Sequence, residues 1–262
     1  MTGTPVLSVL IRIAESQSID AVWDLATGYF ASLGFARANY GFTRFRHQKT
    51  IGDPDDALFL STCDASYAER YFRGGLYAKT PAFRWAEKNS GSCTWTWVKE
   101  AYAAGRLSPE EAEAVRQNAL LGITAGISIS FPEASARAKG AMGLIADEGL
   151  TPEDVERIWS DARQEIEAVA HMMHLRIIQL PQLSRSRALS PRQREALEWV
   201  ADGKTTQDVA LLMGVSPAMV EKHLRLVREA LSVETTAQAV AKAALLNMIF
   251  QRPAEPLAQA AR

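Results

Sequence analysis

The chain has 262 residues, of which 47 % are hydrophobic and 23 % charged, which suits a globular protein with room for two domains. No apolar run approaches the roughly 18 residues needed to span a membrane. Cys63 and Cys93 lack metal-ligand spacing and read as buried or incidental thiols.

The formal net charge of −1 says less than its distribution. Residues 183–252 carry ten Lys or Arg against seven Asp or Glu, whereas residues 1–182 carry 18 against 22. A mildly basic module behind a larger acidic one hints that the smaller part meets an anion. The opening MTGTPVLSVLIRIAESQ has an early acid and no small-residue cleavage site, so a cytoplasmic protein without a signal peptide is expected.

Residues 8–33 read as helix, broken near Ser16-Gln17-Ser18, with Ser18 capping the second piece. Residues 34–45 and 57–62 read as strands around the polar turn HQKTIGDPDD. Short helices follow near 66–74 and 80–89. A further helix spans 108–119, where Ser108 is the cap and Pro109 opens the first turn. GITAGISISF (122–131) and GAMGLIAD (140–147) form a strand pair, and 151–180 is a long amphipathic helix capped by Thr151. The order α, β, β, α, β, β, α predicts an α+β fold, an α/β/α sandwich around an antiparallel sheet.

PQLSRSRA (181–188) has the look of a linker between a ligand domain at 1–180 and a helical domain at 189–250, with 251–262 as a tail. In the helical part, Ser190 caps a first helix, Pro191 opens it and Gly203 closes it. TTQDVALLM is a short second helix ended by Gly214. Ser216 caps a third, with Pro217 at its first position. Helix, glycine turn, helix is the layout of a helix-turn-helix. Val220, Leu224, Val227 and Leu231 form the buried stripe of the third helix, leaving Glu221, Lys222, Arg225 and Arg228 on other faces.

Residues 189–249 resemble the LuxR-type helix-turn-helix, in which a fourth helix supports the domain and often pairs two copies. Leu197, Trp199, Gly203, Lys204, Thr205, Val209, Ala210, Ser216, Val220, His223, Leu224 and Leu231 match its pattern. Gln193 stands where the family usually has Glu, Met219 where it has Ser or Thr, and Glu221 where it has a basic or polar residue. The resemblance implies phosphate contacts from Lys204 and Thr205, a DNA-facing helix start at Ser216, and DNA-facing positions at Glu221, Lys222 and Arg225. Arg225 can read guanine bidentately. Glu221 would repel phosphate but can accept from cytosine N4. An altered operator or weakened DNA binding is what these departures imply.

The same family often carries an N-terminal domain for N-acyl-homoserine lactones. Its pattern is Trp, three residues, Tyr, eight residues, Asp-Pro, then Trp fourteen residues on; in this chain those places hold Tyr67, Tyr71, Thr80-Pro81 and Trp95. In the family the first indole bonds the lactone carbonyl, the Tyr the acyl carbonyl, and the Asp the ligand amide, while the second Trp packs on the lactone. Tyr67 can still donate, and Thr80 can accept only as a neutral group. Three readings stand: a lactone held by a rearranged set of hydrogen bonds, a different small apolar molecule, or a ligand-independent core that folds and dimerises.

No cofactor is expected beyond such a signal. Operator DNA and a second copy of the chain are the expected macromolecular partners, and an antagonist that dimerises with a related regulator is the alternative. His171 and His174 share a helical face as two metal ligands would, but no third ligand is near in sequence. There is no Gly-x-Ser-x-Gly, phosphate loop or His-Glu-x-x-His. Asp161, Glu165 and Glu167 read as a solvated helix face, so an enzyme is not expected.

Overall fold

The computed structural model describes residues 6–47, 51–182 and 188–250. The greater part of the expected linker and the whole tail therefore lie outside the described residues. The chain forms two compact units, divided between Ile177 and Ile178.

In the first unit, α1 (Val6–Glu15) and α2 (Ile19–Ser32) are separated where expected. The Ser16 hydroxyl donates back to the Arg12 carbonyl at 2.7 Å, and Ser18 accepts the Ala21 N–H at 3.2 Å as the cap of α2. Five strands follow: β1 (Arg37–Thr43), β2 (Leu58–Ser61), β3 (Gly91–Thr94), β4 (Gly126–Ser130) and β5 (Lys139–Ile145). They pair antiparallel in the order β2-β1-β5-β4-β3. Four helices, α3 (Ala65–Phe72), α4 (Pro81–Lys88), α5 (Thr96–Ala103) and α6 (Pro109–Ala119), lie between the strands in sequence, and α7 (Pro152–Gln179) closes the unit.

The sandwich matches expectation, with two elements added. β3 is four residues long, made of Gly, Ser, Cys and Thr, and sits at the sheet edge, so it carries no apolar alternation to read. α5 starts at Trp95 without a side-chain cap, which removes the usual start signal.

The two faces of the sheet differ in side-chain size. On one, Ala38, Tyr40, Phe42, Ile127, Ile129, Met142 and Leu144 are buried. Tyr40 meets Trp23 of α2 at 6.3 Å between ring centroids, and its hydroxyl lies 2.8 Å from His174 Nδ1 of α7. On the other face the register places Ser61, Asn39, Gly143, Ser128 and Cys93 in one row across all five strands. The next row holds Phe59, Gly41, Ala141, Ser130 and Gly91. Small side chains on the three central strands cannot fill the space beneath the helices that cover them.

The second unit holds α8 (Pro191–Ala201), α9 (Thr206–Met213), α10 (Pro217–Leu231) and α11 (Thr236–Leu245). Capping boxes start three of them, Ser190 with Gln193, Thr205 with Asp208, and Thr235 with Gln238. Gln193 thus serves the box where the family has Glu. Gly214 ends α9 in the left-handed region at φ 66°, a place that suits glycine. Val220, Leu224, Val227 and Leu231 are all buried, as the stripe predicted. α11 stops at Leu245 rather than near 249, because Asn247 turns left-handed and its amide donates to the Ile178 and Leu180 carbonyls at 2.8 and 3.2 Å.

Candidate functional site

Two cavities lie on the small-residue face of the sheet. One, of about 360 Å³, is bounded by Asn39, Tyr67, Tyr71, Thr80, Trp95 and Asn118, among others. The second, of about 100 Å³, has an aromatic wall that includes Phe59, Phe72, Tyr77 and Phe83. Asn39, Tyr71, Ala82, Trp95 and Gly143 border both, so the two adjoin. All four ligand positions read from the sequence are therefore brought to one cavity.

Local chemistry explains their placement. Asp64 caps α3 by accepting the Tyr67 N–H at 2.9 Å, and Tyr67 and Tyr71, one helical turn apart, stack at 5.4 Å. Burial raises the pKa of both phenols. Tyr71 is pushed up to about 12, with the nearby Thr80 hydroxyl pulling the other way, so both are neutral donors at physiological pH. Trp95 lies over two glycines. A Cβ on Gly126 would come within 2.8 Å of its ring, and one on Gly143 would stand 3.7 Å away. Its indole N–H donates to Ser128 Oγ at 2.9 Å.

Thr80 caps α4. Its hydroxyl donates to the Tyr77 carbonyl at 2.8 Å and accepts the Phe83 N–H at 3.2 Å, and the residue is only 4 % exposed. A hydroxyl has one hydrogen and two lone pairs, so one lone pair is left for the Tyr71 phenol or a ligand. Asn118 differs from the other wall residues: its Oδ1 is buried and has no hydrogen-bond partner.

In the second unit the six residues read as DNA contacts, Lys204, Thr205, Ser216, Glu221, Lys222 and Arg225, are all exposed. Thr205 and Ser216 are caps, accepting the Asp208 and Met219 N–H groups at 3.2 and 3.3 Å, which places two helix N-termini at the surface. The Thr205 hydroxyl and N–H bonds hold the Asp208 carboxyl below its usual range. Glu221 is not isolated on α10: the Thr206 hydroxyl of α9 donates to it at 2.9 Å. Arg225 pairs with Glu229 one turn on.

Residues 18–177 match the family model described as the autoinducer binding domain, and residues 187–243 match bacterial regulatory proteins of the luxR family. The chain belongs to the LuxR family. This is a family of transcriptional regulators, not of enzymes, with an autoinducer-binding domain and a DNA-binding helix-turn-helix. Among curated relatives, the transcriptional activator SolR of Ralstonia nicotianae is 27 % identical over 223 residues, covering 83 % of this chain and 87 % of its own. The solved structure of SdiA from Escherichia coli has a TM-score of 0.54 at 15 % identity, covering 94 % of this chain and 98 % of SdiA. CepR2 from Burkholderia cenocepacia, described as an N-acylhomoserine lactone dependent factor, has a TM-score of 0.51 at 18 % identity over 66 % of this chain and 96 % of its own. At such identities the two structures bear on the fold.

Asn39, Ser128, Gly143 and Asn118 did not emerge from the sequence as members of this regulator's cavity. For the first three the signal was present as strands alternating large and small residues, RANYGFT, GISIS and KGAMGLI. Asn118 carries no comparable signal. His174 is buried in the core and His171 is half-buried beside it: Phe131 stacks on His174 at 4.1 Å and meets His171 edge-on at 5.4 Å. Among the described residues no cluster of three His, Cys, Asp or Glu could hold a metal ion, and no helix is long and apolar enough to cross a membrane. Glu165 accepts from the Tyr29 hydroxyl and Glu167 from Ser92, so these acids of α7 tie it to α2 and β3.

Proposed function

We propose that this LuxR-family regulator is a cytoplasmic homodimer that takes an N-acyl-homoserine lactone into the cavity of residues 1–180 and binds operator DNA through residues 189–250. The observation that carries the reading is the convergence of Tyr67, Tyr71, Thr80 and Trp95 on one cavity over a small-residue sheet face. The stated lactone dependence of CepR2 supports it. Ligand held in this cavity shifts the population toward a folded, dimeric, DNA-binding state. Lys204, Thr205, Ser216 and Lys222 then serve the phosphates, and Arg225, released from Glu229, reads a base.

The test is thermal unfolding of the full chain against a panel of N-acyl-homoserine lactones. A ligand binding only the native state at about 100 times its Kd adds roughly 2.7 kcal/mol. A cooperative melt that no lactone shifts overturns the lactone reading. Thr80 favours a second reading, a receptor for another small apolar molecule, because its hydroxyl already serves Tyr77 and Phe83. Glu221 sustains a third, a dimerising antagonist. Salt-dependent binding to operator DNA separates regulator from antagonist.

A further inference from the structure

In the family pattern the ligand amide meets a carboxylate at the place of Thr80. In this chain that place holds a neutral hydroxyl with one lone pair left by its capping bonds. Trp95 directs its N–H to Ser128, and the Asn39 carbonyl oxygen accepts from Ser61 at 2.7 Å. Tyr67 and Tyr71 bring hydroxyls that can donate or accept, so none of these residues offers an amide N–H an unengaged oxygen that can only accept.

Asn118 supplies one. It lies in the last turn of α6, where its backbone carbonyl accepts the Leu121 and Ile123 N–H groups at 2.9 and 3.0 Å, fixing the root of the side chain. Its Oδ1 is buried without a partner, and among the described residues no other such atom belongs to the wall of the larger cavity. A buried amide oxygen left unmet is unfavourable and uncommon in a folded protein. The same cavity is lined by the Tyr67 and Tyr71 side chains and by Trp95.

We propose that Asn118 Oδ1 is the acceptor for the amide N–H of the signal, so that a neutral amide on α6 takes over the anchoring that a carboxylate after α3 performs in the family. The inference rests on the lactone reading above. It makes Asn118 a specificity determinant: the signal must present an N–H at the acyl linkage, and an ester of the same shape is a poor ligand.

The experiment is calorimetric titration of the full chain with the tightest-binding member of an N-butanoyl to N-dodecanoyl homoserine lactone series, and with the ester made from α-hydroxy-γ-butyrolactone and the same acid. Wild type is expected to prefer the amide by about tenfold, the value of one neutral hydrogen bond. Asn118→Ala is expected to bind amide and ester alike, and to melt no lower than wild type without ligand, because the change removes an unmet acceptor and inserts a strong helix former. A residue that only supports the fold would lower that melting temperature. Equal binding of amide and ester by wild type overturns the anchor and leaves the lactone reading standing. So does an amide preference that survives in Asn118→Ala. If wild type binds no lactone of the series, the lactone reading and the anchor fall together. The wild-type comparison needs no variant to fold.

Discussion

Two glycines on the same sheet face should respond to substitution with opposite sign. At Gly143 a Cβ would stand 3.7 Å from the Trp95 ring, an ordinary contact, with both cavities beyond it. Burying a Leu side chain there contributes about 1.5–3 kcal/mol, replacing glycine within a strand adds about 0.5–1, and ordering the side chain costs about 0.5–1. Gly143→Leu therefore stabilises the unliganded protein by about 2 kcal/mol, a rise of roughly 4–8 °C in Tm for a unit of this size. At Gly126 a Cβ would lie 2.2 Å from the Leu144 carbonyl oxygen and 2.8 Å from Trp95, and the first of these is backbone. Gly126→Ala therefore destabilises by about 1–3 kcal/mol. Both variants are melted with and without the best lactone. The Leu variant should melt higher than wild type and show no ligand shift, because its side chain occupies the ligand's volume. A Leu variant that keeps the full shift refutes the assignment of this cavity as the signal site, and one that melts lower refutes the view that the face is open.

Thr80→Asp keeps the N–H cap of α4 but gives up the bond to the Tyr77 carbonyl, and offers the lactone amide a charged acceptor in place of Asn118 Oδ1; titration should show binding tighter by up to about tenfold. Arg225→Ala should weaken operator binding by roughly 10–100-fold and relax preference at one base pair, measured by fluorescence anisotropy on mutated operators. Lys204→Ala should weaken all sequences alike and lower the salt slope by about one. His171 has its pKa lowered by burial first and by His174 second, against the opposing charge of Glu167. The unfolded chain then binds the proton more readily, so stability is full above about pH 6.5 and falls as the pH drops through that value. His171→Gln should flatten the loss of Tm between pH 7.5 and 5.5, and an unchanged slope would assign the loss to other groups.

The helical unit was readable almost residue by residue, because caps, glycines and a buried stripe are local signals. Ser190, Ser216 and Gly214 act where their neighbours in sequence require them to act. The bond from Thr206 to Glu221 was not readable, since it joins residues on two helices. It alters the meaning of a departure from the family pattern. A carboxylate read as a phosphate repeller or a cytosine reader is also a brace between α9 and α10, so Glu221→Ala would remove a charge and a contact together.

The cavity shows the same limit more sharply. The spacing of Tyr67, Tyr71, Thr80 and Trp95 pointed to a site, but spacing says nothing about which polar atoms remain for a ligand. That depends on contacts between residues far apart in sequence, such as Trp95 with Ser128, 33 positions on. It also depends on the sheet register, which sets Asn39, Gly143 and Ser128 side by side from three strands. A position can thus keep its place in a motif while its chemistry passes to another element. Thr80 keeps the backbone role of a helix cap, and the buried amide oxygen without a partner on the cavity wall belongs to Asn118, 38 residues further along the chain.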